Sequence, residues 1–250
     1  MIPYNDNGGK NMSKISKLKK PELVVNAATA DYYKQYGTSF VEEGEQDIGY
    51  RYDQITARKF TLPRSSEVKS NNVTLSQPSA EVLTLMKKGD EWYMVLGKQA
   101  RSPYLVDVNG KIYFRTFIEQ AAGLLEEGQS FLDAAIAETR QELGARLVYL
   151  GELIVPRLFR HVSYTDEVSK LYLAVTEWLG DQDLDPEENI NVDVIPLDEA
   201  KEEFDAYLDG DKDSFFNFDI PDITMLSMTV FFRKLENGKI NLNNLTGNLL

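Results

Sequence analysis

Glu138 and Glu142 stand four residues apart within SFLDAAIAETRQEL. On a helix that spacing puts both carboxylates on one face. Uncompensated, two like charges so placed cost a helix roughly 0.2–0.5 kcal/mol. A hard divalent cation reverses the sign, because Mg²⁺ prefers oxygen ligands such as carboxylates and carbonyls. The glycine-containing loop before the pair could bring a backbone carbonyl to the same ion. The same spacing also occurs on ordinary solvated acidic faces, so the surrounding residues must decide between the two readings.

The remaining inventory removes several chemistries. The 250-residue chain has no cysteine, which excludes disulfides and thiolate metal sites. Its single histidine, His161, leaves no multi-histidine zinc site and makes a Ser-His-Asp arrangement a poor reading. A structural or surface place suits His161 better than a catalytic one. Net charge is −13, from 27 basic and 40 acidic residues. Such a surface repels nucleic-acid backbones, so no nucleic-acid partner is expected. A small anionic substrate would need a local basic residue or a metal. No apolar run approaches the roughly 18 residues of a membrane span, and the Lys-bearing N-terminus has no apolar signal core. A cytoplasmic location is expected. Met12 offers an alternative start.

These carboxylates need a scaffold, and hydrophobic periodicity supplies its elements. Ser130 is a good helix N-cap with Asp133 three residues on, and Gly144 sits where a helix-ending glycine belongs. AEVLTLM and WYMVLG, joined by KKGDE, predict a hairpin. KIYFRTFI, LVYLGELIVP, SKLYLAVTEWL and the shorter NVDVI read as further strands, and EQAAGLLEEGQ as a loop. LDEAKEEFDAYL places Leu197, Ala200, Phe204 and Leu208 on one helical face. Pro221 and Gly238 frame another helix. Strands interleaved with a few helices predict an α/β (α+β) fold with a mixed sheet between helices.

Residues 1–20 read as a flexible tail, 21–72 as an N-terminal extension, 73–238 as the main domain and 239–250 as a C-terminal tail. In the extension, Ile48, Tyr50 and Tyr52 alternate as in a strand, and RSSEVKSNN (64–72) reads as a polar linker. Tyr50 and Tyr52 could stack on a base, although packing on a sheet suits them better.

AAGLLEEGQSFLDAAIAETRQELGARL resembles the Nudix box, Gly-x5-Glu-x7-Arg-Glu-U-x-Glu-Glu-x-Gly-U, where U is bulky and aliphatic. Gly123, Glu138, Glu142 and Gly144 match in register. Gln129 stands in place of the first Glu, Ala137 in place of the Arg, Thr139 in place of the aliphatic residue, and Gln141 in place of the first Glu of the pair. Ala145 fills the last aliphatic position. Flanking segments extend the likeness over about residues 75–235. EQAAGLLEEG looks like the ELPAGxxEEGE of ADP-ribose pyrophosphatases in this superfamily, and GKQARSPY looks like their strand-end Gln-x-Arg. SYTDE with SKLYLAV, and DPEENINVDVIPLDEA, are similar to their later loops and strands.

The resemblance implies a Nudix-like α/β/α sandwich that hydrolyses a nucleoside diphosphate linked to X, with ADP-ribose the default substrate and Mg²⁺ or Mn²⁺ the cofactor. Glu138, Glu142 and the Ala122 carbonyl would be metal ligands. Arg101 and Glu119 would contact substrate, although Arg101 is equally readable as a surface ion pair. Glu188 or its neighbour Glu187, in the acidic loop, would be the catalytic base or a further ligand; both are also readable as ordinary loop acids. Glu142 would share in catalysis. The resemblance further implies a homodimer that uses the N-terminal extension. Ala137 and Gln129 cannot form the ion pair that orients the family's carboxylates, so a nucleotide sensor without hydrolysis is the alternative.

Overall fold

The computed structural model describes residues 54–61, 68–75, 77–108, 111–159, 167–185, 188–211 and 219–245. Ile48, Tyr50, Tyr52, His161 and Glu187 lie outside them. Two strands, β1 (Gln54–Thr61) and β2 (Val68–Leu75), pair antiparallel with each other. The expected linker at 64–72 therefore runs into a strand from Val68 onward. Its polar letters conceal this, because a hairpin can be held by main-chain hydrogen bonds that carry no side-chain signature.

A seven-stranded mixed sheet follows. Its members are β3 (Ser79–Lys88), β4 (Glu91–Val108), β5 (Lys111–Glu119), β6 (Ala121–Leu124), β7 (Ala145–Phe159), β8 (Val168–Leu179) and β9 (Ile190–Pro196). The main order is β5-β4-β3-β8-β7; β6 also pairs with β3 and β9 with β4. β3 and β8 run parallel, and the other described pairings are antiparallel. Ala80, Val82, Leu83 and Leu85 of β3 are all fully buried, the near-continuous apolar run of a strand covered on both faces. The stretch expected as a loop between β5 and the first helix contains β6, a four-residue strand.

The chain divides into two compact units, and Arg101–Arg115 of the β4 and β5 arms fall in a different unit from Thr116–Leu250. Within the latter, helices cover both faces of the sheet. Ala80 packs in one apolar cluster with Ala134 and Ala135 of helix α1 (Phe131–Leu143). The next residue, Glu81, points to the opposite face, where it accepts a hydrogen bond from Gln120 Nε2. The Gln120 backbone N–H reaches Thr224 Oγ1 of helix α3 (Asp222–Glu236). Helix α2 (Leu197–Leu208) packs beside β9. Its buried stripe holds Leu197, Ala200 and Phe204, but Leu208 is 52% exposed, so the expected apolar face stops one turn short. Pro221 and Gly238 bracket α3 as the sequence suggests. A 3₁₀ turn at Leu242–Asn244 leads to the buried Leu245. Among the described residues no helix is long and apolar enough to cross a membrane.

Candidate active site

Helix α1 is bounded by its own sequence. Ser130 Oγ accepts from the Asp133 N–H at 3.1 Å and donates to the Asp133 carboxylate at 2.6 Å, so the two side chains close on each other. The helix ends at Gly144, whose φ of 64° is left-handed. A side chain there would also lie 2.3 Å from the Gly180 carbonyl oxygen, so glycine is required on two counts. Thr139 is fully buried on this helix, and its hydroxyl donates to the Ala135 carbonyl at 2.6 Å. That satisfied bond explains how a hydroxyl occupies a core position.

The two glutamates take different environments. Glu142 is buried, and its Oε2 accepts from the Ala122 N–H of β6 at 2.9 Å. Ala122 thus meets Glu142 through its N–H group rather than its carbonyl. Glu138 lies directly over Gly123: a methyl group on that glycine would sit 1.9 Å from the Glu138 carboxyl carbon. The glycine of the motif is therefore a seat for the carboxylate. Burial pushes the Glu138 carboxyl up to about 7, and the charges of Glu188, Asp185 and Glu126 add to that rise. Glu126 and Asp185 belong to segments singled out in the sequence, yet neither was expected at the site. Only the fold brings the β6–α1 loop and the acidic loop to the same carboxylate.

The acidic loop is fastened to the end of α1. The Gly180 N–H donates to the Gly144 carbonyl, and the Asp183 N–H to the Gln141 carbonyl. Gln182 Nε2 donates to the carbonyls of both Glu142 and Ile190. Within the loop, the Glu188 N–H donates to the Asp185 carbonyl, and the Asp185 N–H to Glu188 Oε2. Gln129, in the place of an expected acid, accepts from the Glu126 N–H at 2.9 Å and so shapes the loop that carries Glu126.

Glu119 is half-buried and lines a small cleft with Gln99, Gln120 and Glu142, next to Ile190. Arg101 is exposed and belongs to the other compact unit. The structure therefore gathers Glu119 with Glu142 at the cleft, and Glu138 with Glu188, on one body. Among the described residues, no three Asp, Glu or His side chains are gathered closely enough to hold a metal ion between them.

The NUDIX domain model matches residues 75–218, more than half of the chain. The chain belongs to the Nudix family. The match spans β3 to α2 and contains every site residue considered above. No curated protein matches the chain. Nudix domains are hydrolases of nucleoside diphosphates linked to X and generally use divalent metals such as Mg²⁺ or Mn²⁺. The donor chemistry here fits such an ion. All candidate ligands are hard oxygens, and Mg²⁺ is commonly held through one or two carboxylates, with water and phosphate oxygens completing its shell. Burial raises the Glu138 carboxyl most, and the repulsion from neighbouring acids that adds to the rise is what a cation would relieve.

Proposed function

We propose that this Nudix protein hydrolyses a nucleoside diphosphate linked to a moiety X, with an ADP-ribose-like substrate the first candidate. The observation that carries this reading is the Glu138 carboxyl, seated on the motif glycine and surrounded by the charges of Glu188, Asp185 and Glu126. Negative charge directed at one half-buried carboxyl suits a site for a cation with its diphosphate. Glu138 and Glu142 would hold Mg²⁺ or Mn²⁺, with the Ala122 carbonyl as a third donor. The bound ion would neutralise charge on the diphosphate.

The chain's own groups do the rest. Glu188 orients the attacking water and takes its proton. The water oxygen bonds to one phosphorus as the bridging P–O bond breaks, leaving two phosphorylated fragments. Glu119, on the cleft wall, and Arg101 are the candidate substrate contacts; a guanidinium suits a diphosphate through paired hydrogen bonds.

One observation favours a second reading, a nucleotide sensor that does not cleave. Glu142 spends one carboxylate oxygen on the Ala122 N–H. A panel of nucleoside diphosphate derivatives with Mg²⁺ and with Mn²⁺, scored for turnover and for binding, separates the two. Turnover of any member supports the hydrolase. Tight binding without turnover supports the sensor, and neither outcome across the panel overturns both.

A further inference from the structure

Gln182 occupies an unusual junction. Its side-chain amide has two N–H groups, and the same nitrogen donates to two backbone carbonyls, those of Glu142 and Ile190. The first belongs to the last turn of α1, at the residue whose carboxylate holds the Ala122 N–H. The second is the first residue of β9, where the chain leaves the acidic loop. The backbone bonds from Gly180 and Asp183 fasten the entrance of that loop to α1, and the pairing of Ile190 with Gln99 of β4 holds its exit in the sheet. Gln182 reaches across to its exit. Between entrance and exit stand Asp185 and Glu188, tied to each other by two hydrogen bonds.

We infer that Gln182 is a positioning residue, whose amide closes the acidic loop against the C-terminus of α1 and so holds Asp185 and Glu188 at a fixed place beside Glu138. The inference rests on the hydrolase reading for the identity of the ligand. It assigns a role to a residue outside the Nudix motif and makes the loop and the helix one unit. With the amide gone, the loop keeps its entrance bonds and Ile190 keeps its pairing with Gln99 of β4, but the span between them loses its tie to α1, and the carboxylates separate.

Two variants of the full chain test this, Gln182→Met and Gln182→Ala. Met fills the same length without a donor; Ala removes both length and donor. Mn²⁺ binding is read by titration calorimetry, and loop opening by hydrogen exchange at the amides of Leu184, Asp185 and residues 187–190. The expected result is an affinity for Mn²⁺ lower by about tenfold or more in both variants, as for other groups that orient metal ligands. Exchange should rise at those amides while β3 and β8 stay protected. Wild-type affinity in Gln182→Met would overturn the inference, since space-filling alone would then suffice. Exchange that rises across the whole sheet would also overturn it, by showing a purely structural role. If the wild type itself binds no Mn²⁺, the hydrolase reading falls and the inference with it. Binding by wild type and variants alike removes the inference alone.

Discussion

The carboxylate of Glu142 accepts a hydrogen bond from the backbone N–H of Ala122 at 2.9 Å, joining the site helix to the short strand β6. Glu142 is buried and Ala122 half-buried, so the bond is partly shielded from water. Removing the acceptor strands a part-buried donor, which costs about 1 kcal/mol. Glu142→Ala should therefore lower stability by that amount in urea unfolding. Glu142→Gln keeps an oxygen at the same reach and should lose about half as much or less. Both should weaken Mn²⁺ binding in calorimetry, because both remove the negative charge. Equal Mn²⁺ binding by Glu142→Gln and wild type would remove Glu142 as a ligand.

Glu138 yields a pH-dependent prediction. Its carboxyl is raised from 4.5 to about 7 in the folded protein. Between those values the folded state holds a proton that the unfolded state has lost, so this group makes stability fall as pH rises through that window. Above about 7 its full cost is present; below 4.5 it contributes nothing. Glu138→Gln should therefore raise the unfolding temperature at pH 8 without metal and change little at pH 4. The gain is about 1–2 kcal/mol once solvent screening at this half-buried carboxyl is allowed for. Thermal melts of both proteins across pH 4–8 check it, and a gain independent of pH would refute it.

Gly123 should separate binding from folding. A methyl group there collides with the end of the Glu138 side chain, a flexible group that can move aside. Gly123→Ala should then fold with a stability within about 1 kcal/mol of wild type. Its Mn²⁺ affinity should nevertheless drop by about tenfold, because the displaced carboxylate leaves its seat. Calorimetry and urea unfolding on the same sample measure both quantities. A large loss of stability with unchanged affinity would refute the assignment of Gly123 as a seat.

Residues 46–62 are expected to contribute to a homodimer, and the β1–β2 hairpin includes part of that stretch. Light scattering at micromolar concentration should report about twice 28.4 kDa. A clean monomer refutes this.

The helix that carries the site was legible to the residue, because both its ends are chemical: a capping serine at 130 and a left-handed glycine at 144. The longer strands of the main sheet were legible as apolar or alternating runs, but the short β6 read as a loop and the strand order was hidden. The parallel pairing of Ser79 with Ser169 joins residues 90 apart, and periodicity holds no information about such distances. The Glu138–Glu142 spacing placed two carboxylates on one face. It could not show that one would be buried against a backbone N–H while the other gathers the charges of two separate loops. Asp185, Glu126 and Gln182 are ordinary polar loop residues until β6, α1 and β9 converge. The polar strand β2 escaped because its hairpin partner can hold it through backbone bonds alone.

The departures from the motif give the last prediction. Gln129 now accepts from the Glu126 N–H, and a glutamate at that position would keep the same acceptor oxygen. Gln129→Glu therefore need not disturb the loop. Ala137→Arg would supply the cation that the family pairs with that acid, and Gln141→Glu would add an anionic group one residue before Glu142. Each alone carries a cost: an unpaired Arg must be desolvated, and another carboxylate adds to the repulsion already raising Glu138. Together the new charges compensate each other, so the combined effect should exceed the sum of the single ones. Groups that orient metal ligands commonly contribute one to two decades in activity, and the triple variant should raise diphosphate hydrolysis by about tenfold or more at saturating Mg²⁺. Steady-state turnover of wild type, the three single variants and the triple variant measures this directly. A triple variant that folds and binds both metal and nucleotide, yet turns over nothing, would place the defect outside the motif. The sensor reading would then replace the hydrolase.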